Sequence, residues 1–315
     1  MAERRKVSVV GAGSVGATVA YASLIRGAAK TIALYDLDRD KVRAEVLDLN
    51  HGSQFYPTAN VIGSDDIAVT ADSDIVVITA GAKQKPGQTR LELAAVNVEM
   101  CRSLVPDLVA LSPQAILLLV TNPVDVLTYA AVQASGLPSR RVFGSGTVLD
   151  SSRLRTLLAD HCDVAVHSVH AFIVGEHGDS QVPAWSQAAI GGVPVRDWSP
   201  AGRAPLNEET LDRIAHEVVT AAEEIIRGKG ATNYAVGLSA AGIIEAVLQD
   251  ERSVMPVSSL LTGQYGIDDV CLSLPSIVDG RGIDVVLTPP LSDDEADALR
   301  HSADTVRSVE RSLGI

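Results

Sequence analysis

The first forty residues restrict the fold of this chain most. KVSVV (6–10) is an apolar, strand-like run that leads directly into GAGSVG at 11–16. Ser14 to Arg26 then has helical character and is rich in Ala, and TIALY (31–35) is a second apolar run ending at Asp36. A Gly-rich turn between strand and helix, with an acidic residue after the next strand, predicts a βαβ unit that binds a dinucleotide. Gly11 permits the tight turn, Gly13 lets the backbone approach a pyrophosphate, and Gly16 lets helix and strand pack closely. The helix amino terminus offers N–H groups to phosphate. Asp36 can accept bonds from a ribose diol, and its charge repels a 2′-phosphate, so NAD is expected rather than NADP.

The same alternation continues. Helical pattern covers Arg39–His51, and strand-like runs follow at 61–63, 75–79 and 116–120, with helices around Leu91–Leu111 and Pro123–Ala134. Strand, helix, strand in repetition predicts an α/β fold, a doubly wound parallel sheet of Rossmann type. Past residue 145 the pattern changes. Helices near Leu149–Ala159, Leu206–Arg227 and Ala235–Gln249 are interleaved with shorter runs. VMPVSSLL, VCLSLPSIV and GIDVVL then follow at close spacing, as in an antiparallel meander. Ser292 and Glu295 form a capping box that opens a last amphipathic helix. The expected organisation is a dinucleotide-binding domain at 1–145 and an α+β domain at 146–315.

Charge narrows the function. Asp and Glu number 39 against 26 Lys and Arg, a formal charge of -13. Such a surface repels phosphate backbones and anionic lipid, so no nucleic acid and no membrane is expected as a partner. The strongest apolar run, AILLLV at 115–120, has the length of a strand rather than a membrane helix. Basic residues before an apolar stretch make MAERRKVSVVGAG mimic a secretion signal, but that stretch is short and runs into glycines. Cys101, Cys162 and Cys271 are far apart and odd in number, which fits buried thiols in a reducing cytoplasm. Lys229 precedes Gly230, so there is no Walker A loop, and no G-x-S-x-G elbow occurs.

Five further stretches belong together: TAGAKQKPGQTR (79–90), TNPVD (121–125), GSGTVLDSSRLR (144–155), GEHGDS (175–180) and KGATNYA (229–235). In order and spacing, from Val7 to the last helix, they resemble the lactate/malate dehydrogenase family, in its bacterial lactate branch. The resemblance implies an NAD-dependent enzyme that reduces pyruvate to L-lactate. It makes His177 the acid/base, a role that suits an imidazole titrating near neutrality. It makes Asp150 the partner of His177, fixing its tautomer and stabilising imidazolium. Arg153 would hold the substrate carboxylate through two parallel bonds that Lys cannot reproduce. Arg90, at the end of the Gly- and Pro-containing loop 80–90, would swing in to polarise the carbonyl. Asn122 resembles the residue that fixes nicotinamide and substrate oxygen, and Thr232 the threonine beside them. The family's cofactor contacts fall on Gly11, Gly13, Ser14, Val15, Gly16, Asp36, Thr79, Ala80, Gly81 and Asn122.

Gln84 is the expected substrate discriminator. Lactate enzymes resemble this chain in carrying Gln there, and malate enzymes carry Arg. Oxaloacetate has a second carboxylate that needs a cation when water is excluded, whereas an unpaired buried Arg beside a methyl is costly. Lys83 and Lys85 flank Gln84, so a slip of one residue would favour malate. Malate dehydrogenase, a dehydrogenase of longer 2-hydroxy acids and a non-catalytic NAD-binding sensor stand as alternatives. Arg155 and His170 resemble residues that line a subunit-interface site for fructose 1,6-bisphosphate in many bacterial members, implying an allosterically activated homotetramer. His161, His167 and His170 form no expected metal site, since in a strand 167 and 170 would face opposite ways. With few residues before the first strand, assembly is expected to use surfaces other than the amino-terminal extension of vertebrate members.

Overall fold

The computed structural model of this chain describes residues 5–82, 89–199 and 206–315. Strand and helix alternate through its first half. β1 (Lys6–Val10) leads to α1 (Ser14–Arg26), and β2 (Thr31–Tyr35) leads to α2 (Arg39–His51) and β3 (Asn60–Ser64). β4 (Ile75–Ile78), α3 (Arg90–Leu111), β5 (Ile116–Leu119), α4 (Val124–Ser135) and β6 (Val142–Gly144) continue the pattern. These strands lie parallel in the order β3-β2-β1-β4-β5-β6. The doubly wound Rossmann sheet expected from the apolar runs is therefore present. Every residue of β4 and β5 is buried, because helices cover both faces. The strand order reverses between β1 and β4, which opens a crevice beyond their carboxyl ends.

The second half begins with α5 (Val148–Cys162). β7 (Val169–His170), β8 (Ile173–Val174), β9 (Val182–Pro183), β10 (Ala189–Ile190) and β11 (Val193–Pro194) make two small antiparallel sheets. Then come α6 (Glu208–Lys229), α7 (Tyr234–Leu248), β12 (Ser253–Gln264), β13 (Ile267–Asp279), β14 (Gly282–Val286) and α8 (Asp293–Ser312). The last three strands form the expected antiparallel meander. That meander does not stand apart from the parallel sheet. β12 meets β6 with Ser258 opposite Gly144, so β14, β13 and β12 extend the sheet beyond β6. Gly144 suits the junction, since a Cβ there would lie 2.5 Å from Thr128 Oγ1.

Two helices fasten the halves together. α7 packs on α1 so closely that a Cβ on Gly237 would fall 2.5 Å from Thr18 Cγ2. α8 starts with the predicted box: Glu295 N–H donates to Ser292 Oγ, and Ser292 N–H donates to Glu295 Oε2. It buries Leu299, Ala303 and Val306 in the same core as β5 and β13.

At the Gly-rich turn the backbone packs too closely for side chains. Gly11 has φ +100°, and a Cβ on Gly16 would fall 1.8 Å from the Gly11 carbonyl oxygen. Replacing Gly16 by Ala must push α1 away from the turn. Gly16→Ala is therefore expected to lower the free energy of unfolding by about 1–3 kcal/mol. Urea denaturation measures this, and an unchanged midpoint at unchanged slope would contradict the packing described.

Candidate active site

The crevice is built from the loops that follow β1, β4, β5 and β6. After β1, the turn is held by Thr79, whose hydroxyl donates to the carbonyls of Val10 (3.0 Å) and Gly11 (2.9 Å). Ala80 backs the same turn, since a Cβ on Gly11 would lie 2.7 Å from its nitrogen. Gly81 lies against Thr121, whose Cγ2 would be 2.5 Å from a Cβ at 81. Gly11, Gly16, Thr79, Ala80 and Gly81 are thus one packed unit. Gly13 differs, because the space where its Cβ would point is open except for Lys41 Nζ at 4.0 Å. No side chain caps α1, which leaves the first-turn N–H groups of Ser14, Val15 and Gly16 available to an anion. Asp36 Oδ2 accepts the Ala12 N–H at 2.7 Å and lies 3.6 Å from Lys41 Nζ. The carboxylate suited to a ribose therefore also struts the turn. Open space at Gly13, an uncapped helix start and an acidic residue after β2 together fit a dinucleotide.

A cluster of charge lies beyond β6. Asp150 stands in the first turn of α5 and is 2% exposed. Its Oδ1 accepts from Arg153 Nη1 at 2.9 Å, one helical turn away, and its Oδ2 lies 2.5 Å from His177 Nδ1. The predicted trio of Asp150, Arg153 and His177 is thereby assembled. Local bonds explain how. Thr147, before α5, donates its hydroxyl to the Ile173 carbonyl, and Ser151 Oγ accepts the Ile173 N–H. These bonds lock the start of α5 to β8, from which the GEHGD loop departs. Burial opposes charge on His177, but the Asp150 carboxylate outweighs it and holds the imidazole above its ordinary pKa. With Nδ1 given to Asp150, Nε2 is the nitrogen left to exchange a proton with a bound molecule.

The other predicted residues are placed less uniformly. Asn122 follows β5, and its carbonyl accepts from Asn97 Nδ2 at 3.1 Å. Thr232 lies half-buried between α6 and α7. Its neighbour Asn233 donates to Thr18 Oγ1 on α1, which sets that loop against the cofactor helix. Arg90 does not sit in a loop. It is the first residue of α3, behind a Thr89–Glu92 capping box that the sequence displays as T-x-x-E. Its exposed guanidinium pairs with Asp179 at 3.2 Å and with Glu223 at 3.4 Å, not with the buried trio. Gln84 lies outside the described residues.

Arg155 and His170 line one cavity of about 670 Å³, together with His167. Arg155 Nε donates to the Ala171 carbonyl at 2.8 Å, and its guanidinium lies over the Phe172 ring. The expectation that residues 167 and 170 face opposite ways does not hold. Residues 166–168 form a single 3-10 turn, so strand parity does not apply to them. Among the described residues, no group of three His, Cys, Asp or Glu side chains is arranged to hold a metal.

Two buried residues of the site escaped the sequence reading. Asn97 on α3 accepts the Ala82 N–H and braces Asn122. Asp125 accepts the His177 main-chain N–H at 2.7 Å and the Ser258 hydroxyl at 2.6 Å. Asp125 stands within the quoted TNPVD motif, but nothing in the sequence sets it behind a loop some fifty residues distant.

A Rossmann sheet, a dinucleotide crevice and a carboxylate–imidazole pair at its rim define an NAD-dependent dehydrogenase. The profile of the lactate/malate dehydrogenase NAD-binding domain matches residues 5–144, and that of the family's alpha/beta C-terminal domain matches residues 147–311. The chain belongs to the lactate/malate dehydrogenase family, and NAD is its cofactor. It is 51% identical to an L-lactate dehydrogenase of Bifidobacterium animalis subsp. lactis, over 98% of this chain and 97% of the relative. An L-lactate dehydrogenase of Thermoanaerobacter pseudethanolicus is 46% identical over 98% of this chain and 99% of its own. The crystal structure of the minor L-lactate dehydrogenase from Enterococcus mundtii, in a ligands-bound form, superposes with a TM-score of 0.94 at 39% identity. That match covers 98% of each chain.

Removing the charge of Asp150 leaves burial of His177 and the Arg153 charge opposed only by the smaller effect of Asp125. In Asp150→Asn the His177 titration is expected to fall below the ordinary 6.5, as read by NMR of the labelled ring. The sign for stability follows. A raised imidazole pKa stabilises the fold fully below 6.5, and that contribution is lost as pH rises through the folded value. The destabilisation caused by Asp150→Asn should therefore be larger at acid pH than at alkaline pH. A pH-independent difference would contradict the ion pair.

Proposed function

We propose that this chain catalyses pyruvate + NADH + H⁺ → L-lactate + NAD⁺, with His177 as acid/base. The observation that carries the proposal is Asp150 bonded on one oxygen to His177 Nδ1 (2.5 Å) and on the other to Arg153 Nη1 (2.9 Å). Bound in the crevice, the reduced cofactor would supply the hydride. Gly11, Gly13, Ser14, Val15 and Gly16 would hold its pyrophosphate, and Asp36 its ribose. Thr79, Ala80, Gly81 and Asn122 would contact the rest of the cofactor. Arg153 grips the substrate carboxylate. His177 Nε2 donates its proton to the keto oxygen, and the Asp150 carboxylate, bonded to the opposite ring nitrogen, keeps the imidazole charged until that transfer. Arg90 polarises the carbonyl. Its present ion pairs are exposed and together worth only about 1–2 kcal/mol, so a bound substrate can draw it away. Thr232 faces the substrate methyl, and Gln84 offers no cation to a second carboxylate.

We further infer a cytoplasmic enzyme of fermentative glycolysis, regulated at the cavity of Arg155 and His170. A guanidinium and an exposed imidazole beside a cavity of this size suit a sugar bisphosphate, and fructose 1,6-bisphosphate is the proposed activator. A homotetramer accords with the apolar surface left on the α1–α7 pair, where Tyr21, Ile25, Tyr234 and Leu238 are exposed.

The substrate assignment is tested by kcat/KM for pyruvate and for oxaloacetate. Pyruvate is expected to lead by about two orders of magnitude or more, as a buried unpaired charge demands. Gln84→Arg should reverse the order, and an oxaloacetate preference in the parent would reassign the substrate. For regulation, fructose 1,6-bisphosphate should lower the pyruvate KM in the parent but not in Arg155→Ala. Equal kinetics with and without the bisphosphate, at both pH 6 and pH 7.5, would remove the regulatory reading.

A further inference from the structure

The buried stripe of α8 contains one acid. Leu299, Ser302, Ala303, Val306 and Glu310 all face inward, and Glu310 is 4% exposed. Its Oε1 is sealed from solvent and has no hydrogen-bond partner. An ionised carboxylate in that position buries a charge without a donor, whereas the neutral acid buries only a dipole. Two donors stand in the neighbourhood, and both are engaged. The Tyr129 hydroxyl on α4 donates to Asp269 Oδ1 at 3.0 Å. Arg307, one turn before Glu310, pairs with Asp304 at 3.3 Å and donates to the Asp268 carbonyl.

The elements packed around Glu310 add negative charge rather than remove it. Asp269 lies in a bulge of β13, where Asp269 and Val270 together stand opposite Leu261, and its φ is +52°. Asp125 on α4 is a second acid, and Cys271 on β13 is a thiol that burial keeps protonated. β9, which also packs on α8, has no titratable side chain in Val182–Pro183. From α3, Arg102 donates to the Gly314 carbonyl at 3.4 Å, beyond the end of the helix. We propose that Glu310 is a pH-sensitive latch on α8: its neutral acid form seats the end of the helix against α4 and β13, and its ionised form unseats it. Burial first, and Asp269 next, push its carboxyl up to about 7, with Arg307 opposing them. The folded chain keeps this proton to about 7, and the unfolded chain loses it near the ordinary 4.5. The seated helix is therefore favoured at acid pH, and that advantage is lost as pH rises from 4.5 through about 7. The consequence extends past the helix end. Ser302, two turns earlier on the same stripe, accepts the Glu176 N–H at 2.8 Å, so the seat of α8 is felt by the GEHGD loop.

The test compares the full-length parent with Glu310→Gln, which keeps the shape of the neutral acid and cannot ionise. Urea unfolding at one protein concentration, from pH 5 to pH 8, gives the ratio of their folding constants. Asp125 and His177 titrate in both proteins, so the ratio isolates residue 310. It should rise in favour of Glu310→Gln on the order of fiftyfold across that range. Asp269→Asn, which still accepts from Tyr129, should show a smaller rise of the same sign, because it relieves repulsion only when Glu310 is ionised. That second variant decides the matter even if Glu310→Gln does not fold. Hydrogen exchange reads the unseating itself. At pH 8 the amides of residues 306–313 and of Glu176 should exchange faster in the parent than in Glu310→Gln, and at pH 5 the two should match. Infrared difference spectra, parent minus Glu310→Gln, should show a protonated carboxyl band at pH 6 that is gone at pH 8.5. Stability ratios that stay flat across pH for the variants that fold would overturn the proposal. So would equal exchange at pH 8, or no protonated carboxyl in the difference spectrum at pH 6.

Discussion

A buried carboxylate must have its oxygens satisfied, and at Asp150 that requirement organises the catalytic half of the molecule. One oxygen takes a guanidinium from its own helix, and the other takes an imidazole from a loop that follows a different strand. The second partner can arrive only if α5 and β8 are held in register. Thr147 and Ser151 provide that register through the main chain of Ile173. The same carboxylate lies near the amino end of α5, where unpaired N–H groups favour negative charge. One ionic constraint thereby fixes a helix, a strand and the loop carrying His177.

Cofactor and substrate groups reach the crevice by different physical routes. The turn after β1 works by the absence of side chains, which lets α1 close on the Gly11 carbonyl and leaves open space at Gly13. The rim beyond β6 works by charge instead. Asn122 and Asn97 lie between them and carry the hydrogen-bond chain from β5 to the loop at Ala82. The arrangement follows the strand order, because a parallel sheet whose order reverses between β1 and β4 brings these loops to one mouth.

Much of this was legible in the residues. The alternation of apolar runs carried the parallel sheet, and the Gly spacing located the crevice, since both are local patterns with local causes. Asp150 and Arg153 stand three residues apart in one helical segment, so their nearness on α5 follows from helix geometry alone. The partnership with His177 came from family resemblance, and its distance came only from the fold. Asp125 and Asn97 were missed for the same reason: a buried polar side chain is defined by partners from distant segments, and neither periodicity nor spacing records those. Arg90 was misread as a loop residue although Thr89 and Glu92 already spell a helix start. The meander was recognised, but its attachment to β6 depends on one contact, Ser258 against Gly144, that no sequence pattern marks.

That contact bears on how the chain matures. Synthesis proceeds from the amino terminus, so β6 emerges long before residues 253–286 exist. Until β12 arrives, the parallel sheet presents β6 as an open edge with unsatisfied main-chain groups. A chain interrupted before residue 253 keeps that edge and also lacks Ser258. Such a fragment would offer neighbouring copies a template for strand pairing, and its glycine-rich crevice would persist beside an unfinished rim.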